Sequence, residues 1–154
     1  MPVTAQRKVI DIARDIVAEV APDELADFDF VATAYLRDPA AARRARRAGA
    51  EPTAAGWEQA GQAVGVLAAA VVVDICKDLV VAGAKAAGRR YRAAGWWPFR
   101  GPTVDEDSVA PPIPPGQEER IRALAAGRAA DRGAPEALAA DLAAVLVKRW
   151  NARP

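Results

Sequence analysis

The sequence predicts an all-α fold, a small helical bundle around one long central apolar helix with a C-terminal helical hairpin. Three observations carry this. About a quarter of the 154 residues are alanine, the best helix former. Apolar residues recur at helical spacing in each segment of useful length, with no strand-like alternation beside them. Prolines and glycines fall at the boundaries between these segments. The length suits one domain, or one domain with an appendage, enclosing a real core.

Ala5–Val20 reads as an amphipathic helix. Val9, Ile12, Ile16, Val17 and Val20 share a stripe, and Thr4 stands where an N-cap belongs. Pro22-Asp23-Glu24 closes it and opens the next helix, proline first and acids in the first turn. In Asp23–Arg37 the expected buried face is Leu25, Phe28, Ala32, Tyr35 and Leu36. The short join makes these two helices antiparallel neighbours. Asp38-Pro39 caps a further short helix at 40–48, built almost wholly of Ala and Arg. Four arginines with no interleaved aromatic ring read as a solvated connector rather than a phosphate site. Arg43, Arg44, Arg46 and Arg47 would then answer Asp23, Glu24, Asp27 and Asp29.

After a loop at 49–56, a long helix is expected from about Trp57 to Ala94. Val64, Leu67, Val71, Ile75 and Leu79 recur along it, and Val72, Cys76 and Val80 widen the stripe. The run Ala63–Val73 is apolar on every side. Asp74, Asp78, Lys85, Arg89 and Arg92 then form a polar line. That pattern belongs to a central core helix, with Val72, Ile75 and Leu79 among its most buried residues. Gly61 and Gly65 form one small-xxx-small pair that permits close helix approach. Gly95 stops the helix and Pro98 confirms the stop.

The stretch 102–116 is Pro-rich and acidic, with Asp105-Glu106-Asp107 followed by Pro111-Pro112-Ile113-Pro114-Pro115. It reads as an extended, partly polyproline spacer. Two helices follow. Gln117–Arg132 has Ile121, Leu124 and Ala125 as its face. Pro135–Arg149 carries Leu138, Leu142, Val145 and Leu146, with Trp150 beyond, and ends in Lys148 and Arg149 as the helix dipole prefers. A pair this small does not make its own core and should pack back on the first domain or on another chain. The expected plan is a helical core at 1–101, a linker at 102–116 and a hairpin at 117–154.

The composition limits the chemistry. Twenty-one basic and twenty acidic residues nearly cancel, so no global field draws the chain onto nucleic acid or membrane. Arginine far outnumbers lysine, the coding bias of a GC-rich bacterial genome. Histidine is absent, which removes the usual general base and the commonest transition-metal ligand. Cys76 is the one cysteine, so no intramolecular disulfide forms. Nearby carboxylates should raise its thiol pKa while Lys77 opposes them, and it reads as an inert packing thiol. Ser108 is the one serine, in an acidic loop without an evident base. No catalytic, cofactor-binding or metal residue is expected, and no cofactor or small-molecule substrate is inferred.

The first thirty residues contain no uninterrupted apolar stretch of the secretory type. The apolar run Ala63–Val73 falls short of the roughly 20 residues a spanning helix needs, and Asp74, Lys77 and Asp78 follow it. A cytoplasmic location is the expectation.

Ile16-Val17-Ala18-Glu19-Val20-Ala21-Pro22-Asp23-Glu24-Leu25, with Phe28 and Ala34-Tyr35-Leu36-Arg37-Asp38-Pro39, resembles the opening of small uncharacterised all-helical bacterial proteins. These are of actinobacterial type, with a long hydrophobic central helix and a C-terminal helical pair, and some belong to conflict or defence gene loci. The resemblance implies an accessory or adaptor role and carries no catalytic motif.

The functional expectation is therefore a non-catalytic helical protein-interaction module. Its partner is another protein or a second copy of itself. The candidate interaction surface is the basic aromatic segment Arg89, Arg90, Arg92, Trp96, Trp97, Phe99 and Arg100. The alternative is a membrane-docking or membrane-active protein, using the apolar helix 63–83 and the Arg/Trp segment 89–100 at a headgroup interface. Burial of Trp96, Trp97 and Phe99 over the end of the core competes with both. Nucleic acid is not an expected partner: Arg89, Arg90, Arg92 and Tyr91 offer contacts, but the charge is balanced and no binding motif accompanies them.

Overall fold

The computed structural model describes residues 6–38, 63–91 and 104–152, with side chains of the long helix described for 64–83 and 85. Five α-helices appear among them: α1 (Val9–Val20), α2 (Leu25–Arg37), α3 (Ala63–Tyr91), α4 (Glu118–Asp131) and α5 (Glu136–Trp150). A 3₁₀ turn, Pro22–Glu24, precedes α2. Among the described residues there is no strand, and one isolated antiparallel bridge pairs Lys8 with Val109. The fold is all-α. The short helix expected at 40–48, and the long helix's expected limits at Trp57 and Ala94, lie outside the described residues.

The principal helix contacts close a ring, α1 to α2, α2 to α3, α3 to α4, α4 to α5 and α5 back to α1. Helices α1 and α3 also touch across its middle. The hairpin therefore packs back on the core. On α1 the buried residues are Val9, Ile12, Ala13, Ile16 and Val17, the expected stripe with Val20 half-buried at its edge. From Leu67 to Val73 every side chain of α3 is buried whichever way it points. Val72, Ile75 and Leu79 are all buried, as their spacing requires.

Three expectations change. Helix α1 starts at Val9 rather than Ala5, with Lys8 as its N-cap and Thr4 outside the described residues. The reason is non-local. Val9 N–H donates to Ser108 O at 2.9 Å and Ala110 N–H donates to Arg7 O at 2.9 Å, which holds residues 7 and 8 extended. The stretch 104–113 is accordingly more than a spacer. It makes a turn at 105–108 and carries its prolines beyond, and Val104, Ala110 and Ile113 are buried against the helices. Trp150 Nε1–H donates to Pro111 O at 2.8 Å, so this strap ties the start of α1 to the end of α5. Leu25, in phase with the stripe of α2 but at its first residue, is 38% exposed; Phe28, Ala32 and Leu36 carry the burial.

Charges finish the packing. Glu24 Oε2 accepts the Gly65 N–H at 2.7 Å and Oε1 the Val64 N–H at 3.4 Å. A carboxylate there answers the free amides of a helix's first turn and its positive dipole end. Gly65 packs beside the start of α2: a Cβ on it would meet Glu24 Oε2 at 3.4 Å and Phe28 Cδ2 at 3.5 Å. On the other flank of α3, Asp74 pairs with Arg132, and Asp78 with Arg128 at 3.2 Å. The first two members of the polar line read from the sequence thus lie on the seam where α4 docks, while Lys85 is exposed. Glu19 binds Lys148 at 2.8 Å and Arg149 at 2.7 Å. These bonds, Lys148 first, hold its carboxyl below the usual range.

Helix α4 ends in a Schellman motif. Gly133 N–H donates to Ala130 O at 2.8 Å and Ala134 N–H to Ala129 O at 3.1 Å, with Gly133 at φ 84°. Replacing Gly133 by Ala forces a Cβ into left-handed backbone and should cost about 1–2 kcal/mol in urea unfolding. An unchanged midpoint would mean that the turn rearranges freely.

Candidate interaction surfaces

The basic aromatic segment is only partly described. Arg89 and Arg90 fall in the last turn of α3, and their side chains are outside the description. Arg92, Trp96, Trp97, Phe99 and Arg100 lie outside the described residues. The helix leading to them changes its surroundings steadily. Val80 to Gly83 are four consecutive residues that sample the whole circumference, and none is buried; Lys85 is exposed. The core helix thus loses its full enclosure directly after Leu79, with Val80 still packed against the core.

An open groove of about 410 Å³ lies between α1, α2 and the strap, lined by Lys8, Asp11, Arg14, Asp29, Glu106 and Asp107 among others. Its cations are occupied. Lys8 Nζ meets Asp107 at 2.7 Å, and that hydrogen bond raises the pKa of its ammonium. Arg14 meets Asp29 at 2.6 Å and Asp11 at 2.9 Å, and is raised chiefly by Asp29. Ion pairs of this kind brace the groove walls and leave neither cation unpaired for a ligand. The arginines expected to answer these acids, at 40–48, lie outside the described residues; among the described ones Asp29 is held by Arg14, and Glu24 by the Gly65 amide.

The single thiol and the single serine have structural surroundings. Cys76 is buried in the core, and burial rather than neighbouring carboxylates pushes its thiol pKa up, with Lys77 opposing. It should label slowly with thiol reagents in the native state and promptly in denaturant. Stoichiometric labelling of the native protein within minutes would show that this part of α3 opens. Ser108 Oγ donates to Asp105 Oδ1 at 2.8 Å and accepts the Asp105 N–H at 2.9 Å, closing a local four-residue turn. Among the described residues no group of three or more Cys, Asp or Glu is placed to hold a metal ion.

One surface was missed in the sequence. Phe30 is 80% exposed on the outer face of α2. Its position was legible, because two residues beyond buried Phe28 a helix turns through about 200°. No family model, curated protein or solved structure matches the chain.

Proposed function

We propose that the chain is a non-catalytic helical protein-interaction module, an adaptor or accessory part of a bacterial multi-component system. Its contact surface is Arg89, Arg90, Arg92, Trp96, Trp97, Phe99 and Arg100. One observation carries the reading. The helix that is enclosed on all sides from Leu67 to Val73 has no buried residue from Val80 to Gly83, so a rigid core element leads directly into the basic aromatic segment. A contact surface anchored on a packed helix starts with less freedom to lose on binding.

Membrane docking fits the same residues less well. Among the described residues no helix is long and apolar enough to cross a membrane. Entry of α3 into lipid would also break the Asp74–Arg132 and Asp78–Arg128 pairs.

The test compares the parent with the triple variant Arg89→Gln, Arg90→Gln, Arg92→Gln. Both are affinity-purified from source cells and floated with anionic vesicles. The reading expects a defined protein that co-purifies with the parent and falls away in the variant, with no vesicle binding. Vesicle binding that weakens with salt and disappears in the variant would replace it by the membrane reading. Identical co-purifying proteins in both forms would move the contact elsewhere.

A further inference from the structure

We propose that the outer face of α2 docks a second copy of this chain, helix against antiparallel helix, about a two-fold axis at Phe30. This goes beyond the reading above and uses a different face. Phe30 stands diametrically opposite the buried stripe of Phe28, Ala32 and Leu36. Around it Asp23, Ala26, Asp27, Ala34 and Arg37 are exposed and Thr33 is half-buried. At 100° per residue those on α2 fall within about 60° of Phe30, and Asp23, in the 3₁₀ turn just before it, stands at the end of the same strip.

The strip is complementary to itself in one direction only. A two-fold axis at Phe30 sets the two Phe30 rings against each other and Ala26 opposite Ala34, each such pair occurring twice. The same axis sets Asp23 opposite Arg37 and Asp27 opposite Thr33. Parallel pairing would instead oppose Asp23 to Asp23, Asp27 to Asp27 and Arg37 to Arg37. The antiparallel register turns every one of these repulsions into an attraction or a hydrogen bond, and it aligns the helix dipoles favourably. An interface that presents the same patch from both subunits is the isologous arrangement of two-fold dimers. Small residues on either side of each ring allow close approach, and paired aromatic rings add to the buried area.

The charges are available. Asp23 makes no ion pair among the described residues. Arg37 reaches Glu106 only at 3.9 Å and is 74% exposed. A single helix face of 13 residues buries less than the roughly 1,200 Å² of standard stable interfaces. The dimer is accordingly weak and concentration-dependent.

Sedimentation equilibrium of the full chain across micromolar to millimolar concentrations tests this. Four forms are compared: the parent, Phe30→Ser, Arg37→Asp, and the exchange Asp23→Arg with Arg37→Asp. All three positions are on exposed surface, so each form should still melt cooperatively, the charge reversals at the ends of the helix lowering the midpoint by only a few degrees. The parent should dimerise reversibly. Phe30→Ser should weaken the dimer at least about tenfold, through the loss of both rings. Arg37→Asp should weaken it several-fold, and the charge exchange should restore it, because each reversed pair is remade across the axis. A parent that stays monomeric throughout overturns the proposal, as does a dimer indifferent to Phe30→Ser. An exchange variant no better than Arg37→Asp alone rejects the antiparallel register. A monomeric parent whose vesicle binding is lost in Phe30→Ser assigns the face to lipid instead.

Discussion

Ile75→Asp abolishes the folded state at neutral pH. Ile75 has no exposed surface, and among the described residues no polar or charged side chain is buried. A carboxylate introduced there finds no cation and no donor within the core. The cost combines the lost apolar contacts with desolvation of an unpaired charge, and should exceed about 4 kcal/mol. That is most of the stability of an ordinary domain. The loss has a pH signature. Burial raises the folded-state pKa of the new carboxyl above its unfolded value of about 3.9. Below that value both states are protonated and only the shape change counts. As pH rises past it the unfolded state ionises first, and stability falls by up to about 1.4 kcal/mol per pH unit until the folded pKa is reached. Ile75→Val, which keeps the shape and loses one methylene, should cost only about 0.5–1.5 kcal/mol. Thermal melts of the three proteins between pH 4 and 7 measure the difference. A melt of Ile75→Asp matching the parent would mean that the core lies on another face of α3.

Trp150→Ala should be the next most damaging change. The ring is buried at the end of α5, and its indole N–H holds the Pro111 carbonyl of the strap. Truncation removes both contributions and should cost about 3–5 kcal/mol. Trp150→Phe keeps most of the packing and loses the hydrogen bond, for about 1 kcal/mol. Urea unfolding followed by far-ultraviolet circular dichroism separates the two. Equal losses would assign the role of Trp150 to its hydrogen bond alone, and no loss would detach the strap from the core.

The helices were legible because their cause is local. Val9, Ile12, Ile16 and Val17 announce a buried stripe by spacing alone, and the all-round apolar run before Asp74 announces the enclosed helix. Gly133 marks the turn between α4 and α5 for an equally local reason. What sequence order concealed is pairing over long separations. Nothing near Arg7 or Lys8 signals that Ser108 and Ala110 will hold them extended. Val104, Ala110 and Ile113 have no periodicity to reveal burial, and the larger apolar neighbour of Ala110, Val109, is the exposed one. Asp74 and Asp78 were visible as a polar line, yet only the three-dimensional arrangement gives them Arg132 and Arg128. The same limit applies to the contact surfaces. Composition drew attention to Arg89–Arg100. A single exposed ring at Phe30 becomes conspicuous only once the opposite face of α2 is known to be buried.

The strap has a consequence for the order in which the chain matures. Helix α1 emerges from the ribosome before every element that covers it. Its N-terminal turn awaits Ser108 and Ala110, and its apolar face awaits α3 and α5. At ordinary translation speed the interval between α1 and Trp150 lasts on the order of ten seconds. Until its last part the apolar face of α1, with Ile12, Ile16 and Val17, is only partly covered, by α2 and then α3. The nascent polypeptide is therefore a natural client for chaperones that hold apolar segments. A premature stop before α5 leaves open the part of the earliest-made helix that α5 covers, and such a product is expected to be degraded rather than to persist as a smaller working version.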